Sequence, residues 1–125
     1  MRPWHPTAEQ LDALAKLWQL GQGDSSGEKA AAKLLLGLYN GRRFPFDLTD
    51  LRLLDEANLA RALLVLEMDA RPRQEVHELL GMIFQHPRGH FGDEFEWRAY
   101  ELRLKGRTKK AFLPERARLC PVERV

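Results

Sequence analysis

Leucine and alanine dominate this chain, and the residues that favour β-sheets are scarce. The 125 residues include 22 leucines and 13 alanines, whereas valine, isoleucine and threonine together number eight. Leucine and alanine are strong helix formers, while β-branched residues are the ones that strands prefer. The imbalance leaves little material for a sheet and predicts an all-α fold.

Length and cysteine content indicate one soluble domain. A chain of 125 residues buries enough apolar surface for a core without disulfide or metal staples. The single cysteine, Cys120, cannot form an intramolecular disulfide, which favours a reducing compartment. The first six residues lack the apolar stretch of a secretion signal, and the apolar runs are too short to span a membrane. We therefore expect a cytoplasmic protein.

Polar residues at cap positions divide the chain into five or six helices. The pairs Thr7 with Gln10 and Ser25 with Glu28 have the spacing of a capping box. Aspartates offer further caps at Asp47, at Asp55 and, together with Glu96, at Asp93. The predicted helices run from Thr7 to near Leu20, from Ser25 to about Tyr39, briefly after Asp47, from Asp55 to near Ala70, from Pro72 to Phe84, and from Asp93 to about Leu104.

The spacing of apolar residues predicts which helix faces are buried. Gly21 ends the first helix at a point where glycine can take the left-handed conformation. In the fourth helix the spacing directs Leu59, Leu63 and Leu66 inward. The fifth helix has the clearest stripe, formed by Val76, Leu79, Leu80, Ile83 and Phe84.

The sixth helix carries two apolar faces, one more than a core needs. Its first face holds Phe95, Ala99 and Leu102, and its second holds Trp97, Tyr100 and Leu104. Tryptophan and tyrosine are enriched in interface hot spots, so the second face is a candidate protein-binding surface, most simply for a second copy in a homodimer. The alternative is burial under the first helix or Trp4.

A loop aromatic is a further candidate for partner binding. Phe44 lies among basic residues at 42–46, whereas the neighbouring Phe46 is expected to pack against Leu51. Phe44 could therefore contact a partner, or it could fill the core.

Charge separates the chain into a helical domain, residues 1–104, and a basic, at most partly ordered tail, residues 105–125. Residues 1–102 hold 12 basic and 16 acidic side chains, whereas residues 103–125 hold 8 and 2. Such a tail could bind a nucleic-acid backbone, with Phe112 stacking on a base, or fold back onto the acidic domain. The nucleic-acid-binding candidates are Lys105, Arg107, Lys109, Lys110, Arg116 and Arg118.

No motif indicates catalysis, a cofactor or a small-molecule substrate. The chain has no Gly-x-Ser-x-Gly stretch and no phosphate-binding loop. His86 and His90, followed by Asp93 and Glu94, could ligate a metal. Pro87 disfavours the helical geometry that the histidine pair needs, and two surface histidines in a solvated loop are expected instead. A helix-turn-helix over residues 48–68 is disfavoured because Asp55 and Glu56 would repel phosphate. We expect a protein that is not an enzyme and binds no metal.

Three segments resemble a family of small uncharacterised proteins carried by proteobacterial plasmids and integrative elements. They are SGEKAAAKLLL at residues 26–36 with a nearby YN, FDLTDL at residues 46–51, and GDEFE at residues 92–96. The basic extension after Leu104 is atypical of that group. The resemblance implies an accessory protein of a bacterial mobile element, and it supplies no catalytic residues.

Overall fold

The computed structural model describes residues 5–102, and over these residues the chain is entirely helical or loop. Five α-helices and one 3₁₀ helix follow one another: α1 (Ala8–Leu20), α2 (Ser26–Tyr39), the 3₁₀ helix (Leu48–Leu53), α3 (Glu56–Asp69), α4 (Val76–Ile83) and α5 (Gly92–Glu101). The predicted all-α bundle is therefore confirmed. Within the described part, no helix has both the length and the apolar character needed to cross a membrane.

Local capping fixes the starts of the first four helices as the sequence predicts. The Thr7 hydroxyl accepts from the Gln10 amide at 3.0 Å, and the Gln10 side chain accepts from the Thr7 amide at 3.0 Å. Ser25 begins α2 in the same reciprocal way. Asp47 caps the 3₁₀ helix and Asp55 caps α3, each through a side-chain oxygen that accepts a backbone N–H.

The starts of α4 and α5 differ from the prediction. Helix α4 begins at Val76 rather than at Pro72. Its N-cap residue is Glu75, whose amide donates to the Glu78 side chain at 2.9 Å. Helix α5 begins at Gly92, so Asp93 lies inside its first turn and caps nothing. The predicted pairing of Asp93 with Glu96 is wrong because the Glu96 side chain is directed into the protein interior.

The first two helices approach each other closely at Gly21. Its φ is −69°, so the predicted left-handed conformation is wrong. The glycine is needed for space instead, because a Cβ at this position would lie 3.0 Å from the Ala32 nitrogen and 3.1 Å from the Ala32 Cα. Absence of a side chain thus allows the end of α1 to rest against α2.

Helix α3 buries a face that matches the predicted one only in part, since Leu66 packs against the core but Leu63 does not. Leu63 is 54% exposed, whereas Ala62, Val65 and Met68 are buried and Leu59 and Leu66 are only half-buried. Helix α3 packs mainly against α1, and the small side chain of the buried Ala62 permits a closer approach of packed helices than a leucine would. The leucine spacing alone could not reveal this preference.

Candidate functional site

Helix α5 is anchored to the core by aromatic rings. The Trp18 ring lies edge-on to Phe91 and Phe95, with centroids 5.1 Å and 4.9 Å apart. The Phe95 ring also stacks on Tyr39 of α2, with centroids 4.8 Å apart and planes within 3° of parallel. The predicted core face of this helix is confirmed for Phe95 and Ala99, which are both fully buried.

A left-handed residue positions the loop that leads into α5. The Gln85 amide donates to the Met82 carbonyl and the His86 amide donates to the Gly81 carbonyl, which together form a Schellman motif at the end of α4. Gln85, with φ of 53°, occupies the position that glycine usually takes. This turn carries His86 back toward the core.

His86 is buried rather than solvated, which corrects the sequence expectation for this loop. Its side chain is 2% exposed and its Nε2 lies 3.4 Å from a carboxylate oxygen of Glu94, itself 3% exposed. The His86 Nδ1 accepts from the Arg88 amide at 3.1 Å, so the proton of a neutral ring sits on Nε2 and faces Glu94. The pair ties the loop to the first turn of α5.

Glu96 joins α5 to the end of α2 through a second buried group. Its carboxylate, fully shielded from solvent, accepts two hydrogen bonds from the Arg43 guanidinium at 2.6 Å and 2.7 Å. The Tyr39 hydroxyl donates to the same carboxylate at 2.6 Å. Burial, reinforced by the negative charge of Glu96, raises the pKa of Tyr39 well above its ordinary value, so this hydroxyl keeps its proton and remains a donor.

Arg98 makes the third polar link, to the loop between α1 and α2. Its Nε donates to the Gly21 carbonyl at 2.9 Å and an Nη donates to the Gly23 carbonyl at 2.5 Å. A carboxylate oxygen of Glu101 lies 3.6 Å from the other Nη. Helix α5 is thus held at three places by charged side chains on its inner half.

The predicted partner face of α5 lies on the outer half of the helix. The Trp97 and Tyr100 rings contact each other, with centroids 5.9 Å apart and a 44° angle between planes, and both side chains are partly exposed. We call these two residues the Trp97–Tyr100 surface. Leu104, the third residue predicted for this face, lies outside the described residues.

The remaining predicted site residues are not brought together with this surface. Phe44 is 2% exposed and lies in the core, with the Arg43 guanidinium 4.7 Å from its ring centroid, so its side chain fills the interior instead of facing a partner. The tail candidates fall outside the described part of the chain: Lys105, Arg107, Lys109, Lys110, Arg116 and Arg118.

A cleft of about 330 Å³ opens beside α4 and the loop after it. The rings of His77 and His90 both line it and lie edge to face, with centroids 6.1 Å apart and planes at 81°, and Tyr39 and Glu78 also line it. The His90 Nδ1 accepts from the Gly92 amide at 3.1 Å. Within residues 5–102, no three side chains of the His, Cys, Asp and Glu types are grouped so that they could hold a metal ion.

Sequence reasoning missed the buried charges of α5. Glu94 and Arg98 are four residues apart, and each directly precedes a residue of the Phe95–Ala99 stripe. Side chains so spaced share one side of a helix, which places these charges at the edge of the apolar face. That helical spacing was the available signal, although it does not identify the partners.

Comparison with known proteins places the chain in a family. The match to the family described as Family of unknown function (DUF7673) covers residues 11–86, which include α2, α3 and α4 and nearly all of α1. Helix α5 follows the matched residues. No curated protein and no solved structure matches the chain. Because the matched residues make up more than half of its length, the chain belongs to the DUF7673 family.

Proposed function

We propose that this protein is a non-enzymatic accessory or modulator protein of a bacterial mobile element that acts by binding another protein through the Trp97–Tyr100 surface. One observation carries the proposal. Helix α5 is fixed on its inner half by Phe95, Ala99 and three buried charged residues, while two large aromatic side chains remain partly exposed on its outer half. Trp and Tyr are among the residues most enriched in the hot spots of protein–protein interfaces.

The anchoring of α5 favours binding at this surface. A partner that docks on a helix already held in place does not have to order that helix first, so less of the binding free energy is lost. The links from Glu96 to Arg43 and from Arg98 to the Gly21 carbonyl supply this order. The polar groups of α5 thus have a structural purpose that requires no catalysis.

The proposed role in a bacterial mobile element and the proposed location are supported by the sequence alone. The segments at residues 26–36, 46–51 and 92–96 resemble proteins of plasmids and integrative elements, which supports a role in a bacterial mobile element. The lone cysteine supports a cytoplasmic location.

Nucleic-acid binding is the second candidate function, favoured by the charge of residues 103–125. These residues hold 8 basic and 2 acidic side chains, and basic segments bind phosphate backbones by releasing counterions. This interaction would be sequence-independent and would weaken steeply as salt rises.

Affinity capture from a bacterial lysate, with and without nuclease, separates the two functions. We expect the full chain to retain specific proteins in both conditions. We also expect a chain that ends after Leu104 to retain the same proteins and to unfold thermally near the wild-type temperature, because the helical periodicity of the sequence ends there. Capture that disappears with nuclease or with the shortened chain would favour nucleic-acid binding instead.

A direct titration completes this test. If residues 105–125 bind nucleic acid, labelled DNA or RNA should bind the full chain, lose affinity steeply between about 50 and 200 mM salt, and not bind the shortened chain.

A further inference from the structure

A groove of about 570 Å³ runs between α1 and α3. Small side chains, Ala13 from α1 and Ala60 from α3, line it together with Leu64. Leu63 also lines the groove and is 54% exposed, one of four large hydrophobic side chains in the described part of the chain that are so open to solvent. The same surface therefore presents both an apolar depression and an apolar projection beside it.

The rim of the groove carries charges of both signs. Glu9 and Asp12 from α1 and Glu67 from α3 supply negative charge, while Lys16 and Arg61 supply positive charge. The Lys16 ammonium lies 3.1 Å from an Asp12 carboxylate oxygen, and both side chains remain at least half exposed. A partner with a single sign of charge would meet repulsion along part of this rim.

We propose that the α1–α3 groove binds a second copy of this chain in a two-fold symmetric homodimer. In such a contact each copy offers the same patch, so Leu63 of one copy can enter the alanine-lined depression of the other, and the reverse holds at the same time. The basic and acidic rim residues of one copy can likewise face those of opposite sign on its partner. Each copy therefore offers both the alanine-lined depression and the leucine that would fill the depression of the other copy.

The size of the face sets the strength of this dimer. Helices α1 and α3 have 13 and 14 residues, so each is about 20 Å long. Two neighbouring helices of that length form a face smaller than the area that stable complexes commonly bury on each partner. A homodimer through a face of this size should be weak, so the share of dimer should depend on protein concentration.

This inference does not rest on the proposed function, because the groove and the Trp97–Tyr100 surface lie on different helices. The Trp97–Tyr100 surface belongs to α5, whereas the residues that line the groove belong to α1 and α3. A homodimer through the groove leaves the outer half of α5 for a different protein. Each proposal can thus fail without the other.

Sedimentation equilibrium of the full chain, from low micromolar concentration to about 1 mM, tests the homodimer. The wild type should rise from the 14.5 kDa monomer toward twice that mass. Leu63→Glu should raise the dissociation constant of the homodimer at least tenfold. Glutamate is, like leucine, a good helix former, so the substitution should leave α3 helical. The matched control is Met82→Glu on α4, where the wild-type side chain is 53% exposed outside the groove, and it should dimerise like the wild type.

Two further variants make the outcome decisive. Leu63→Gln removes the apolar contact without adding charge, and it should weaken the dimer even if Leu63→Glu unfolds. Trp97→Ser/Tyr100→Ser should leave the dimer intact. The inference is overturned if the wild type stays monomeric at about 1 mM, if it forms assemblies larger than a dimer, if both Leu63 variants dimerise normally, or if only the double variant loses the dimer.

Discussion

Single residues decide how α5 is held, and the bidentate ion pair between Arg43 and Glu96 is one of its three polar links. A buried carboxylate loses its hydration, and only close, well-directed partners can compensate. Glu96 accepts three hydrogen bonds of 2.6–2.7 Å from Arg43 and Tyr39, so both carboxylate oxygens are satisfied. The pair joins the end of α2 to α5. Removal of either partner would leave the charge of the other without the contact that compensates its lost hydration.

Glu96→Gln should destabilise the protein by about 3 kcal/mol. The substitution removes the negative charge that faces Arg43, and the amide NH2 of the glutamine must face at least one of the donors that the carboxylate accepts from. Urea unfolding measures the change, with Glu9→Gln on the exposed first turn of α1 as the control, expected within about 0.5 kcal/mol of wild type. Equal effects of the two substitutions would show that Glu96 contributes no more than a surface carboxylate.

Asp69, at the end of α3, should lower stability at neutral pH. Burial, with repulsion from Glu75, raises the pKa of Asp69 to about 6. The folded protein then binds this proton more tightly than the unfolded chain, whose aspartates titrate near about 4. The free energy of unfolding must therefore fall as pH rises from about 4 to about 6, and the penalty is fully present above that window.

Asp69→Asn removes this penalty. We expect the variant to match the wild type at pH 4 and to exceed it by roughly 1 kcal/mol at pH 7, a value reduced because the side chain is only half-buried. Glu56→Gln, at the opposite end of the same helix, should show no gain at pH 7. Urea unfolding at both pH values decides, and an Asn variant with the pH dependence of the wild type would contradict the assignment.

At the scale of elements, the orientation of α3 distinguishes the structure from the leucine pattern. Met68→Ala should cost about 2–5 kcal/mol, because Met68 is 2% exposed within the core. Leu63→Ala, measured at low protein concentration, should cost less than about 1 kcal/mol because little of that side chain is buried within one copy. The reverse order in urea unfolding would restore the face predicted from sequence.

Most helix starts were predicted from local signals, whereas features that depend on tertiary contacts were not. The side chains of Thr7, Ser25 and Asp55 each accept a hydrogen bond from the amide three residues further along, so each cap is determined by nearby residues in the sequence. The end of α4 instead uses Gln85 in a conformation that favours glycine, and Glu96 turns inward to an arginine 53 residues away. The spacing of polar and apolar residues predicts neither the left-handed backbone of a glutamine nor the burial of a glutamate beside a distant arginine.

At the scale of the whole molecule, composition was enough to predict the fold class but not to predict which loop and charged residues are buried. The excess of leucine and alanine predicted a helical bundle, and helical periodicity separated Phe95 from Trp97 on α5. The same periodicity gave Phe44 no position in the core, because a loop residue has no repeating face from which burial can be inferred. The buried charges around α5 emerge only when α2, α4 and the α1–α2 loop meet it.

The central claim is that the Trp97–Tyr100 surface binds a protein partner while α5 stays folded without it. The most direct test is quantitative affinity capture from a bacterial lysate with the wild type, Trp97→Ser/Tyr100→Ser and, as a matched control, Leu48→Ser at a 72% exposed leucine outside α5. Thermal unfolding of each variant is measured in parallel. We predict that the double variant folds and loses the captured proteins at least tenfold, whereas Leu48→Ser retains them. A double variant that unfolds, or that captures as the wild type does, would contradict the claim.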